Sequence, residues 1–281
     1  MQIIDGKAIS EEILKECEVQ VKTLKSRGIP VSLAVILAGD DPASRVYVRN
    51  KERACEKCGI RSIRKVYPGE VKEEELLQEI ERLNRDPSVN GILVQLPLPP
   101  QIDPNRVLLS IDPMKDVDGF HPMNVGRAWT GGESLVSCTP AGVIQLLKRS
   151  GVSIDGKECV VLGRSNIVGK PMAELLLREN GTVTVCHSHT KDLPKIASRA
   201  DILVAAIGKP KFITAEYVKE GACVIDVGIH RMENGKLCGD VCFDDVKGKC
   251  SCITPVPGGV GPMTIAMLMD NCIRAAIRQN R

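Results

Sequence analysis

Apolar residues recur along this chain in two alternating rhythms. Ile9, Ile13, Leu14, Cys17, Val21 and Leu24 are spaced by three or four residues. That spacing puts them on one face of a helix, and Gly28 punctuates its end. An apolar run over 31–38 follows and stops at Gly39-Asp40-Asp41-Pro42. Such a run reads as a strand buried on both faces. The pattern then predicts a helix over 43–58 closed by Gly59, a strand over 62–67 and a charged helix over 72–85. An apolar strand over 91–96 ends in a proline-broken Leu96-Pro97-Leu98-Pro99-Pro100. This βαβαβ order predicts a parallel or mixed sheet covered by helices.

Residues 112–137 break the rhythm. They are rich in Gly, Pro and Asp, and are expected to form a functional loop or an interdomain connection. A second α/β series begins beyond them. Helices are expected over 140–150, 169–180 and 193–198, and strands over 158–162, 182–186, 202–207, 224–227 and 251–254. A long amphipathic helix over 263–278 ends the series. The chain's 281 residues agree with two domains of roughly 150 residues each.

Composition narrows function more than fold. Hydrophobic residues are 43% and charged residues 26% of the chain, which excludes a disordered chain, a collagen-like repeat and a coiled coil. With 38 basic against 35 acidic residues the net charge is only +3. No strong field of one sign exists, so nucleic acid is not an expected partner. Aromatics at 2% also argue against a base-stacking surface. No signal peptide is read at the start, and the apolar runs are too short to span a bilayer. A cytoplasmic protein without membrane contact is expected. Its twelve cysteines suit a reducing compartment. Cys55 and Cys58 have a CxxC spacing, and Cys238, Cys242, Cys250 and Cys252 cluster without regular ligand spacing. A cysteine-based metal or redox site is therefore an alternative rather than the expectation, which is no metal.

One segment points to a nucleotide. Residues 158–162 read as a strand, Gly163-Arg164-Ser165-Asn166-Ile167-Val168-Gly169 as a tight turn, and the following residues as a helix. In dinucleotide folds the first glycine permits the turn, and the helix start presents free N–H groups to a phosphate. The next predicted strand ends in Cys186-His187-Ser188-His189-Thr190. It lacks the acid that binds the ribose 2′-hydroxyl of NAD. Arg164 without a competing carboxylate favours a 2′-phosphate, hence NADP. A plain strand-to-helix turn and a solvated arginine are the other readings.

The first half carries a second constellation. Tyr47 and Lys51 lie four residues apart on one predicted helix face. Tyr offers a stacking surface, and Lys serves as a base only when its neutral form is favoured. Gln95 sits at the carboxyl end of a buried strand, where α/β proteins bind ligands. Asp116 and Asp118 flank a glycine turn that ends at His121, a residue expected to be structural. Residues 255–262 hold three Pro and three Gly, suited to close backbone approach to a ligand or to a rigid hinge.

Five segments occur in order: Tyr47-Val48-Arg49-Asn50-Lys51, then 91–99, 115–121, 163–171 and 255–264. Together they closely resemble the bifunctional methylenetetrahydrofolate dehydrogenase/methenyltetrahydrofolate cyclohydrolase family over essentially the whole chain. The resemblance implies an α/β folate-binding domain over 1–120, completed by a C-terminal helix over 261–281. It implies a Rossmann-like NADP-binding domain over 138–255 and a cleft between the two. The activity it implies is oxidation of 5,10-methylenetetrahydrofolate with NADP⁺, then hydrolysis of the methenyl product to 10-formyltetrahydrofolate. The family's catalytic lysine falls on Lys51, its stacking tyrosine on Tyr47 and the glutamine that contacts the lysine on Gln95. The pterin-anchoring acid falls on Asp118 and not on Asp116. Cofactor contacts fall on Gly163, Arg164, Ser165, Ser188 and Ile229, and substrate contacts also on Pro257, Gly258 and Gly259. A homodimer paired through the cofactor domains is implied as well. Two other readings keep the same fold: a dehydrogenase of the shikimate kind, and an NADP-binding module without catalysis.

Overall fold

A computed structural model describes residues 1–281, the side chain of Ala43 excepted. The chain starts with a short strand, β1 (Gln2–Ile3), and a long helix, α1 (Gly6–Ser26). There follow β2 (Ser32–Ala38), α2 (Pro42–Cys58), β3 (Arg61–Tyr67), α3 (Glu73–Arg85), β4 (Gly91–Val94), α4 (Pro104–Leu109) and α5 (Pro122–Trp129). Next come α6 (Cys138–Arg149), β5 (Glu158–Leu162), α7 (Gly169–Arg178), β6 (Thr182–Cys186), α8 (Leu193–Ala197), β7 (Ile202–Ala205) and β8 (Cys223–Asp226). The chain closes with a small hairpin of β9 (His230–Arg231) and β10 (Leu237–Cys238), then α9 (Phe243–Val246), β11 (Cys252–Ile253) and α10 (Val260–Gln279). Contacts divide it into two units, Glu12–Cys138 with Ile265–Arg281, and Met1–Glu11 with Thr139–Thr264.

The first of these units is built on a three-stranded sheet in the order β3-β2-β4, parallel throughout. All seven residues of β2 are buried, as its unbroken apolar run requires. Asp41 caps α2 by accepting from the Ser44 N–H at 2.7 Å. Gly59 ends the helix in the left-handed conformation, at φ 75°, where a Cβ would be strained. Helix α3 buries Leu76, Ile80 and Leu83 in a core shared with Ile36, Ile92 and Val94. Residues 112–137 are less irregular than expected: α5 lies within them. Eight residues are too few to show a clear period.

The other unit is built on a six-stranded sheet in the order β1-β11-β8-β7-β5-β6, with every pair parallel. Strand β5 is followed by β6 on one side and by β7 on the other. The chain reverses its progress across the sheet at that point, which is where open α/β sheets bind ligands, outside the carboxyl ends of the strands. Strand β1 is too short to signal itself in sequence. It is placed by pairing Gln2 with Cys252 and Ile3 with Ile253. Among the described residues no helix is long and apolar enough to cross a membrane.

Candidate active site

In the three-stranded unit, Lys51 stands in the middle of α2 and Gln95 just past β4. The Gln95 N–H donates to the Ile36 carbonyl at 2.9 Å, so the residue is still held by the sheet. Its Nε2 donates to the Leu96 carbonyl at 2.7 Å. That bond orients the amide and turns Oε1 toward Lys51, whose Nζ donates to it at 2.9 Å. The ammonium or amine of Lys51 is thus held by a neutral acceptor. Tyr47 lies one turn earlier on α2 and exposes 44% of its surface, leaving its ring open to a ligand.

Asp118 reaches this corner through a short extension of the sheet. Ile92 donates to the Lys115 carbonyl at 2.8 Å, and Ile92 and Asp116 form a parallel bridge. Burial pushes the Asp118 carboxyl up to about 6; Lys51 opposes that shift and Asp116 adds to it. Asp116 is occupied differently. It accepts from the Phe120 N–H at 3.2 Å, the His121 N–H at 2.8 Å and Asn124 Nδ2 at 2.9 Å. His121 caps α5 by accepting from the Met123 N–H on Nδ1. Of two acids in one turn, one closes the turn and the other lies within electrostatic reach of Lys51.

Three residues that sequence reasoning passed over hold the turn. Lys115 is buried and donates from Nζ to the carbonyls of Leu83 and Asp86, at 2.8 and 2.7 Å. Gly119 has φ 70°, and a Cβ there would come within 2.4 Å of the Val136 carbonyl carbon. Asn271 of α10, only 2% exposed, donates from Nδ2 to the carbonyls of Val117 and Val136, both at 2.8 Å. An amide on the apolar face of an amphipathic helix, in line with the buried Met267, Leu268 and Ala275, was the available signal for Asn271.

In the six-stranded unit a cavity of about 410 Å³ opens at the carboxyl ends of β5, β6 and β7. Gly163, Arg164, Ser165 and Ser188 all line it. Gly163 has φ 121°, and a Cβ there would lie 2.2 Å from the Ala206 carbonyl oxygen. Only glycine lets β5 turn beside β7. At Gly169 a Cβ would lie 2.3 Å from the Gly163 oxygen. Ser165 accepts from the N–H groups of Val168 and Gly169, at 3.2 and 3.3 Å, and so organises the start of α7. The cavity lining holds two cations, Arg164 and Lys209, and no carboxylate. Apolar surface comes from Leu193, Ile207 and Phe212. This donor set fits a flat base with an anionic phosphate.

The remaining expected residues stand elsewhere. Ile229 is 49% exposed, between β8 and the hairpin, and is not in the cavity lining. Pro257, Gly258 and Gly259 belong to the unit of the six-stranded sheet. They pack on the start of α1, where the Lys7 N–H donates to the Gly258 carbonyl at 3.0 Å. A Cβ on Gly6 would lie 1.9 Å from the Gly259 oxygen. All twelve cysteines are free thiols, and every one but Cys242 is buried. Among the described residues no group of three or more His, Cys, Asp or Glu could hold a metal ion.

Two family models match the chain. The catalytic domain of tetrahydrofolate dehydrogenase/cyclohydrolase matches residues 4–118, and the NAD(P)-binding domain of the same family matches residues 137–280. The bifunctional protein FolD of Lachnoclostridium phytofermentans is 67% identical over 274 residues, covering 98% of this chain and 97% of the relative. The crystal structure of the bifunctional dehydrogenase/cyclohydrolase from Campylobacter jejuni superposes with a TM-score of 0.97 at 50% identity, covering 99% of both chains. The Trypanosoma brucei dehydrogenase-cyclohydrolase, complexed with NADP and an inhibitor, gives a TM-score of 0.93 at 42% identity over 99% of this chain and 98% of that one.

Proposed function

The chain belongs to the tetrahydrofolate dehydrogenase/cyclohydrolase family, and from that premise we propose how its residues divide the work. The protein is a bifunctional enzyme of one-carbon metabolism. It oxidises 5,10-methylenetetrahydrofolate with NADP⁺ and hydrolyses the resulting methenyl compound to 10-formyltetrahydrofolate. The folate chemistry is assigned to the unit carrying Lys51, Gln95 and Asp118, and NADP to the unit carrying Gly163 and Arg164. We assign the folate domain to 1–120 with 261–281 and the NADP domain to 138–255, apart from residues 1–11, which group with the unit of the six-stranded sheet.

The two half-reactions ask for different things. In the oxidation, two nitrogens flank the reacting carbon, and their lone pairs stabilise the cation left on it. No strong acid or base is needed there; orientation is the main requirement. NADP⁺ supplies the acceptor for the two electrons. Tyr47 would stack on the folate, and Asp118 would accept hydrogen bonds from its pterin ring. Gly163, Ser165 and the start of α7 would receive the cofactor's phosphates, Arg164 its 2′-phosphate, and Ser188 and Ile229 the adjoining ribose and carboxamide groups. Pro257, Gly258 and Gly259 would contribute backbone to the folate.

Hydrolysis needs proton handling. Water attacks the cationic carbon and gives up one proton; the hydroxyl then loses its second proton as the carbonyl forms and the C–N bond breaks with protonation of nitrogen, so that one proton is released overall. Lys51 is the group for these transfers. A bound cation disfavours a second positive charge beside it, and the group that holds Nζ directly is the neutral oxygen of Gln95 rather than a carboxylate, with the charge of Asp118 felt only through space. The bond from Lys51 to Gln95, at 2.9 Å, is the observation that carries this reading. We further propose a homodimer in the cytoplasm.

The test is a time course with methylenetetrahydrofolate and NADP⁺, reading NADPH by its absorbance and methenyltetrahydrofolate after an acid quench. The wild type should form NADPH without matching methenyl accumulation. Lys51→Met should abolish methenyl hydrolysis above the uncatalysed rate. Normal hydrolysis by that variant would remove Lys51 from the mechanism.

A further inference from the structure

The turn that follows β7 is held by a carboxylate from a distant part of the chain. Asp240 is completely buried. Its Oδ2 accepts from the N–H groups of Ile207 and Gly208, at 2.7 and 3.0 Å. Its Oδ1 accepts from the Lys209 N–H at 3.0 Å and lies 2.8 Å from Nε2 of His230. Three successive backbone donors therefore converge on one side chain, an arrangement that leaves the turn little freedom.

Asp240 is itself built in. Asp226, at the end of β8, accepts from the N–H groups of Asp240 and Val241, both at 2.9 Å. Two glycines make the room. A Cβ on Gly228 would lie 2.4 Å from Asp240 Oδ1, and one on Gly239 would lie 1.9 Å from Asp226 Oδ2. Two stacked carboxylates thus transmit the position of β8 to the turn after β7.

That turn is one wall of the cofactor cavity. Ile207 and Lys209 line it together with Arg164, Ser165 and Ser188. Lys209 is exposed, and its Nζ sits 5.2 Å from the centre of the Phe212 ring, a cation–π distance. Phe212 also lines the cavity. A lysine whose backbone is clamped and whose ammonium sits over an aromatic ring is directed rather than free.

We propose that Asp240 is a positioning residue for the cofactor site, clamping the turn 207–209 so that Lys209, which lines the same cavity as Arg164, meets a phosphate of NADP. The inference rests on the assignment of NADP to this cavity. A charge-assisted contact corresponds to about one to two decades in affinity. Lys209→Met should therefore weaken NADPH binding about tenfold or more, measured directly by fluorescence titration. Asp240→Asn places an NH₂ against backbone donors. It should weaken NADPH binding by a similar factor and speed hydrogen exchange at the amides of 207–209 while exchange in β5 and β7 stays slow. The double variant should lose no more than about threefold beyond Asp240→Asn alone, because Lys209 is already displaced. Unchanged NADPH affinity in Lys209→Met, fully multiplicative losses in the double variant, or faster exchange spread over the whole sheet of Asp240→Asn would each overturn the proposal. If Asp240→Asn does not fold, the surface variant Lys209→Met still decides the cofactor contact, and unchanged binding there rejects it. Because NADPH binding is read without folate, a wild type that binds NADPH but turns over no folate would refute the folate assignment alone.

Discussion

Asp118→Asn is expected to make the protein more stable while impairing its use of folate. Burial raises the Asp118 carboxyl from an ordinary value near 3.8 to about 6. The folded state therefore binds this proton more tightly than the unfolded chain does. Between those two values the native state holds more protons, so stability falls as pH rises. The loss is complete above about pH 6. The gap between about 6 and the ordinary 3.8, at about 1.4 kcal/mol per pH unit, sets an upper bound of about 3 kcal/mol on the destabilisation at pH 7 and above, because part of Asp118 stays open to solvent. Asparagine keeps the shape and removes the charge.

The assay is urea unfolding of both proteins from pH 4 to 8. The two should have similar stability near pH 4. The variant should pull ahead through pH 5 and 6 and level off more stable by up to about 3 kcal/mol, the bound set by the shift in Asp118. In the same preparations the KM for methylenetetrahydrofolate should rise at least tenfold, because an amide replaces the anion beside Lys51. Parallel stability curves across the whole range would refute the reasoning, since they would mean that ionising Asp118 costs the fold nothing. A carboxylate that destabilises its own domain is a candidate for a charge that serves binding or catalysis.

Other substitutions probe the cofactor cavity. Arg164→Ala should raise the KM for NADP⁺ by about one to two decades, the range of a charge-assisted contact, and leave that for NAD⁺ within about threefold; equal effects would dissociate Arg164 from the 2′-phosphate. Gly163→Ala forces a Cβ to within 2.2 Å of the Ala206 oxygen at φ 121°. A shift of about 1 Å in the turn can cost on the order of a hundredfold, so NADP⁺ oxidation kinetics should collapse; near-normal dehydrogenase kcat/KM would show that the turn relaxes freely.

Local physics made most of the elements legible in the residues alone. Strands β2 and β5 announce themselves as uninterrupted apolar runs, because a strand covered on both faces has no polar side to show. Helix α2 is bounded by Asp41-Pro42 and Gly59, residues whose capping roles depend on their own backbone chemistry. The Gly163 turn and the ordered segments from Tyr47 to Thr264 pointed to folate and NADP without coordinates. Short elements escaped, among them β1, α5 and the hairpin of β9 and β10, because two to eight residues carry too little period.

Tertiary structure decided the rest, and each case is a contact between residues far apart in the chain. Asp116 and Asp118 are chemically identical in sequence. They differ because the buried Asp116 meets the N–H groups of Phe120 and His121 and the amide of Asn124, while Asp118 keeps part of its surface open and feels the charge of Lys51. Asn271 is an amide on the apolar face of an amphipathic helix, and its role shows only in its bonds to the carbonyls of Val117 and Val136. Asp240 reads as part of a Gly-Asp turn until three backbone donors from 207–209 converge on it. Periodicity and motif spacing report what a residue prefers among its chain neighbours. Which donors surround a carboxylate, and hence whether it braces a loop or stays available to a ligand, is settled only when distant segments are packed together and water is removed.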